Sequence, residues 1–83
     1  MPTAYVLINC GFDHRDKAMK GVNELPGILE AAELDTAYDI LIKLNLGTVD
    51  ELQETIKRHI KKIPHVQSTV TLVTIQDTDR NSL

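Results

Sequence analysis

The sequence predicts an α+β domain of the ferredoxin-like kind, βαββαβ, a four-stranded antiparallel sheet with two helices on one face. Three observations carry this. Apolar residues alternate or run β-branched over Tyr5–Cys10, Ile28–Leu34, Tyr38–Leu46 and Val66–Ile75, as strands do. They recur at helical spacing over His14–Leu25 and Val49–Ile63. Glycine or proline stands where the period changes, at Gly11, Pro26-Gly27, Gly47 and Pro64.

The first strand, Tyr5-Val6-Leu7-Ile8-Asn9-Cys10, stops at Gly11. Asp13 is placed to cap the helix that follows, with Asp16 three positions on. Ala18, Met19, Val22 and Leu25 form its apolar face, and Gly21 inside it costs about 1 kcal/mol relative to alanine. Ile28–Leu34 reads as a strand because Pro26-Gly27 leaves only a few residues before the Asp35-Thr36 turn. In the third strand Ile40, Ile42, Leu44 and Leu46 alternate with Leu41, Lys43 and Asn45. Thr48 and Glu51 have capping-box spacing. They open a helix whose apolar face is Val49, Leu52, Ile56, Ile60 and Ile63. Acid leads and base trails along it, as the helix dipole favours. Residues 1–83 make one domain, and the polar stretch 76–83 is expected to fray.

Composition narrows the function. Nine Lys+Arg against twelve Asp+Glu give a formal net charge of -3, which disfavours direct nucleic-acid binding. One cysteine excludes an internal disulfide framework. No apolar run approaches a membrane span, so a soluble, cytoplasmic protein is expected. A chain of 83 residues without staples has a marginal core of its own. The sheet suggests the remedy. Tyr5, Leu7 and Asn9 alternate with Val6, Ile8 and Cys10, Leu41 lies opposite the Ile40/Ile42 side, and Val73 and Ile75 lie opposite Val70 and Leu72. Strands apolar on both sides need cover on both, and a second copy of the sheet supplies it.

Catalytic and metal motifs are thin. Cys10 and His14 have C-x3-H spacing, with His59 and His65 further on, but a zinc site needs three or four well-spaced ligands. No metal or catalytic residue is assigned. The four glycines build no phosphate-cradling loop. The segment with chemistry is Asp35-Thr36-Ala37-Tyr38-Asp39, which joins two strands and holds two carboxylates, a hydroxyl and a phenol. A polar hairpin turn would look like this. So would a loop for a zwitterionic amino acid, whose ammonium needs carboxylates and whose carboxylate needs donors.

At this loop the chain resembles the effector-binding (RAM) domain of the Lrp/AsnC regulators. The resemblance runs from Ala4 to about Ile75. It rests on Ala4-Tyr5-Val6-Leu7-Ile8, on Val22-Asn23-Glu24-Leu25-Pro26-Gly27-Ile28, on Leu34 through Leu44, and on Ile63-Pro64-His65 through Thr71, in that order and spacing. It implies a sheet-to-sheet homodimer and a ring of dimers. It also implies an amino-acid effector held between dimers, and no helix-turn-helix in this chain, the stand-alone form. Family loops commonly read Gly-x-Tyr/Phe-Asp; here Tyr38 and Asp39 match while Thr36 replaces the glycine. By resemblance the ligand contacts are Thr36, Ala37, Tyr38, Asp39, Thr69 and Thr71. Asp39 takes the ammonium, Tyr38 forms a wall, and Thr69 or Thr71 bonds a polar group.

The expected function is therefore a stand-alone amino-acid-binding regulatory domain that modulates transcription by joining full-length Lrp/AsnC regulators. A small dimeric ferredoxin-like enzyme, of monooxygenase or isomerase type, competes with it. So does an assembly-only domain without effector, which Thr36 favours.

Overall fold

The computed structural model describes residues 2–74. The expected end of the last strand at Ile75 and the frayed stretch 76–83 lie outside the described residues. The elements are β1 (Thr3–Asn9), α1 (Arg15–Asn23), β2 (Ile28–Glu33), β3 (Ile40–Asn45), α2 (Val49–Arg58) and β4 (Ser68–Thr74). They form the βαββαβ, ferredoxin-like arrangement, with strand order β2-β3-β1-β4 and every pairing antiparallel.

One core fills the space between the sheet and both helices. Ala4, Val6, Ile8 and Cys10 from the β1 side meet Ile40, Ile42 and Leu44 from β3. Ala18 and Val22 close it from α1, and Leu52, Ile56, Ile60 and Ile63 from α2 and the turn beyond. The period-two alternation of β3 is seen directly: Ile40, Ile42 and Leu44 are buried, while Leu41, Lys43 and Asn45 are half-buried on the opposite face.

Gly21 has a packing reason. A Cβ there would lie 3.2 Å from an Ile63 methyl, so the glycine lets α1 settle against the end of the α2 segment. Gly27, at φ +76°, turns α1 into β2, and a Cβ would meet the Asn45 carbonyl at 2.6 Å. Only a residue without a side chain fits both demands.

Helix ends differ from expectation. Asp13 is not the cap of α1. The chain enters through a 3-10 turn over Phe12–His14, His14 takes the cap position, and no side chain caps it. The 3-10 turn satisfies the His14 amide on the Gly11 carbonyl at 3.1 Å, which draws Asp13 inside the turn rather than before it. At α2 the Thr48 hydroxyl accepts from the Glu51 amide at 3.1 Å, as a cap should. The Glu51 carboxylate accepts from that hydroxyl rather than from the Thr48 amide. The α-helix ends at Arg58, not at Ile63. A 3-10 turn over Ile60–Lys62 continues the path and keeps Ile60 and Ile63 inward.

Candidate functional site

The hairpin between β2 and β3 is held from three sides. The Leu34 amide donates to the Asp39 carbonyl at 2.8 Å, closing the loop at its base. The Asp39 amide donates to the Ile8 carbonyl at 2.9 Å, tying it to β1. Oδ2 of Asp39 accepts from the Cys10 and Gly11 amides, both at 2.9 Å. These amides belong to the exit of β1, where Gly11 turns with φ +85° and the sheet no longer supplies acceptors. Asp39 is thus a strut between the loop and the start of the α1 segment. Its other oxygen retains lone pairs for a further donor.

Arg15 grips the loop from α1. Its Nη1 donates to the Leu34 carbonyl at 2.9 Å and to Asp35 Oδ1 at 3.2 Å, and its Nε pairs with Glu33 at 2.8 Å. Inside the loop the Thr36 hydroxyl accepts from the Tyr38 amide and reaches the Tyr38 carbonyl, each at 3.3 Å. Thr36 does not have a positive φ, so this loop has no conformational need for glycine. Threonine supplies instead a hydroxyl-bridged turn. Thr36 and Ala37 are exposed; Tyr38 and Asp39 are half-buried.

Cys10 is fully buried beneath this corner. Burial pushes its thiol up, and the nearby Asp39 carboxylate pushes the same way while Arg15 opposes. A protonated, buried thiol is a poor nucleophile. His14 stacks on His65, with ring centroids 3.7 Å apart and planes within 4°. A metal lies in the plane of each imidazole that binds it, and two parallel planes share no such point. No group of three or more metal-ligating side chains occurs among the described residues.

Thr69 and Thr71 sit elsewhere. In β4, Thr69 is opposite Ile8 and Thr71 opposite Val6. Ile8 meets Ile40 on its other side, so Thr69 lies two strand spacings, roughly 10 Å, from the foot of the loop. Thr71 lines a groove of ≈650 Å³ between α2 and β4 with Ile56, Val73, Lys57 and Lys61. Thr69 lines a polar hollow of ≈330 Å³ with Lys61, Gln67 and Ser68. The fold therefore brings residues 36–39 together in one loop and places the two threonines across β1 from it.

Sequence reasoning missed Arg15, the Cys10 and Gly11 amides, and Lys61. Arg15 carried a signal: a cation in the first turn of a helix opposes the dipole, and so points to acidic partners elsewhere in the chain.

The model of the Lrp/AsnC ligand binding domain matches residues 3–82, nearly the whole chain. The chain belongs to this family. FFRP-DM1 superposes with TM-score 0.83 at 28% identity, over 90% of this chain and 100% of that one. The hypothetical protein PHS023 from Pyrococcus horikoshii gives 0.84 at 25%, covering 100% of both. AsnC of E. coli gives 0.83 at 26%, over 92% of this chain but 52% of its own, so this Lrp/AsnC domain spans about half of that regulator. No curated protein matches the sequence. The family and its regulator-like neighbours support a regulatory rather than an enzymatic domain. No helix among the described residues is long and apolar enough to cross a membrane.

Proposed function

We propose that this domain binds an amino acid and self-assembles, and that it modulates transcription in the cytoplasm by joining full-length Lrp/AsnC regulators. The observation that carries the reading is the match to the family's ligand-binding domain over residues 3–82, and the braced, solvent-facing loop at residues 36–39 supports it. Loop residues Thr36, Ala37, Tyr38 and Asp39 contact the effector. Asp39 keeps Oδ2 on the backbone amides and offers Oδ1 to the ammonium. The loop and the Thr69/Thr71 strand stand across β1 from each other, so a site using both is completed by a neighbouring copy. The dimer forms through the open face of the sheet. On that face Leu72, Tyr5, Lys43 and Glu30 make one cross-strand row, and Val70, Leu7, Leu41 and Ala32 the next. Leu72 is 64% exposed, Val70 41% and Tyr5 37%, an apolar patch that a two-fold copy would cover.

A thermal-shift panel of the twenty amino acids at millimolar concentration tests the ligand. At a hundred times its dissociation constant an effector adds about 2.7 kcal/mol, a shift of several degrees in a domain this size. Asp39→Asn should abolish the shift while retaining an acceptor for the two amides. A flat panel would favour the assembly-only reading, which the internally bonded Thr36 hydroxyl and Asp39 Oδ2 already support.

A further inference from the structure

Away from the loop, a stacked ring pair and a hollow of free donors share a border. His14 and His65 stack with ring centroids 3.7 Å apart and planes within 4°. His14 is half-buried at the entrance to α1, and His65 is exposed in the turn that leads to β4. His14 covers one face of the His65 ring, so the open side is the other face. His65 is also the one non-glycine residue with a positive φ among the described residues, at 70°. Such a conformation persists where its surroundings fix it. Here the stack and the turn bond from the Val66 amide to the Ile63 carbonyl, at 3.2 Å, hold it.

The polar hollow of ≈330 Å³ begins next to this ring, lined by Lys61, Val66, Gln67, Ser68 and Thr69. Gln67 joins the two features. A Cβ built at Gly11 would have the His14 ring 3.8 Å away and the Gln67 amide nitrogen 4.0 Å away. The side chains of Lys61, Gln67, Ser68 and Thr69 make no hydrogen bond or ion pair among the described residues. No acid lines the hollow, in contrast to the groove beside it, where Asp50 and Glu54 lie. One ammonium, two hydroxyls and an amide, with no carboxylate among them, suit an anion with several acceptor oxygens. A zwitterionic amino acid would bring an ammonium that finds no carboxylate here. The open imidazole face suits a nucleobase, for which histidine is one of the stacking platforms.

We propose that His65 and this hollow form a site for a small nucleotide. The base stacks on the open face of His65, and the phosphate sits on Lys61 with Gln67, Ser68 and Thr69 donating to its oxygens. The occupant is a single nucleotide rather than a strand. There is one platform beside one hollow, and the net charge of -3 disfavours a long polyanion. The site lies across β1 from the loop at 36–39 and does not rest on the amino-acid reading.

Isothermal titration calorimetry of the 83-residue chain with AMP, adenosine and inorganic phosphate tests this. AMP is expected to bind at millimolar concentration or below, and each half alone about tenfold more weakly or worse. Lys61→Gln should lower AMP affinity about tenfold and leave adenosine unchanged. His65→Asn, which tolerates a positive φ, should lower AMP and adenosine about tenfold and leave phosphate unchanged. Circular dichroism melts matching wild type show that the variants fold. Should His65→Asn not fold, the imidazole proton resonances of wild-type His65 take its place: AMP and adenosine should shift them by ring current, and phosphate should not. No binding of AMP, or affinities unmoved by the variants, overturns the proposal. Phosphate binding as tightly as AMP overturns it in favour of a plain anion hollow. Binding of single-stranded oligonucleotides without AMP overturns it in favour of a nucleic-acid surface. The amino-acid thermal shift is read separately and stands or falls on Asp39.

Discussion

Asp39 shows how one residue can hold a loop and still face a ligand. Its Oδ2 satisfies two amides that the end of β1 leaves without partners. Asp39→Ala strands both, at about 1–3 kcal/mol for a buried unsatisfied group, and chemical denaturation should show a loss of about 2–4 kcal/mol. Asp39→Asn should lose less than half of that. Cys10 contributes a pH dependence. Its folded thiol titrates above the ordinary 9.0 because of burial first and the Asp39 charge second. Above that value the unfolded chain releases its proton while the folded chain keeps it. Stability is therefore complete below the ordinary thiol value and falls as pH rises past it. The difference in unfolding free energy between wild type and Cys10→Ala, followed from about pH 8 to about pH 10.5, should shrink with rising pH. A constant difference would remove the burial argument.

At the scale of elements, caps and turns divide into replaceable and obligatory ones. Thr48→Ala removes a side-chain cap from α2 and should cost about 1 kcal/mol. Gly27→Ala should cost more, about 2 kcal/mol or above, since a positive φ and a backbone carbonyl 2.6 Å from the new Cβ act together. Equal costs in denaturant titration would contradict the close-approach argument. Legibility follows the same division. The strands and α2 were readable because Ile40, Ile42 and Leu44 or Leu52, Ile56 and Ile60 repeat with the period of their element. The start of α1 and the end of α2 were not, because 3-10 turns keep nearly the same apolar spacing while moving the cap. The loop at 35–39 stood out by its residue types. The Arg15 grip did not, because it spans some twenty positions and exists only once α1 lies beside β2. Nor could spacing tell that β1 separates Thr69 from the loop, since that depends on strand order.

The whole molecule is a thin half-sandwich: helices cover one sheet face, and the other carries Leu72, Val70, Tyr5 and Leu7 toward solvent. Leu72→Lys removes nothing from the core between sheet and helices, so the monomer's fold should be unaffected while sheet-to-sheet pairing weakens at least tenfold. Sedimentation at micromolar concentration reads this directly; unchanged dimer mass would move the interface off this face.

The central claim, a ligand-responsive assembly, is tested most directly by light scattering on the 83-residue chain, with and without each amino acid that shifts its melting temperature. The expected result is a multiple of the 9.3 kDa chain mass that changes when the effector is added. A monomer of that mass, unchanged by every amino acid, would contradict the claim.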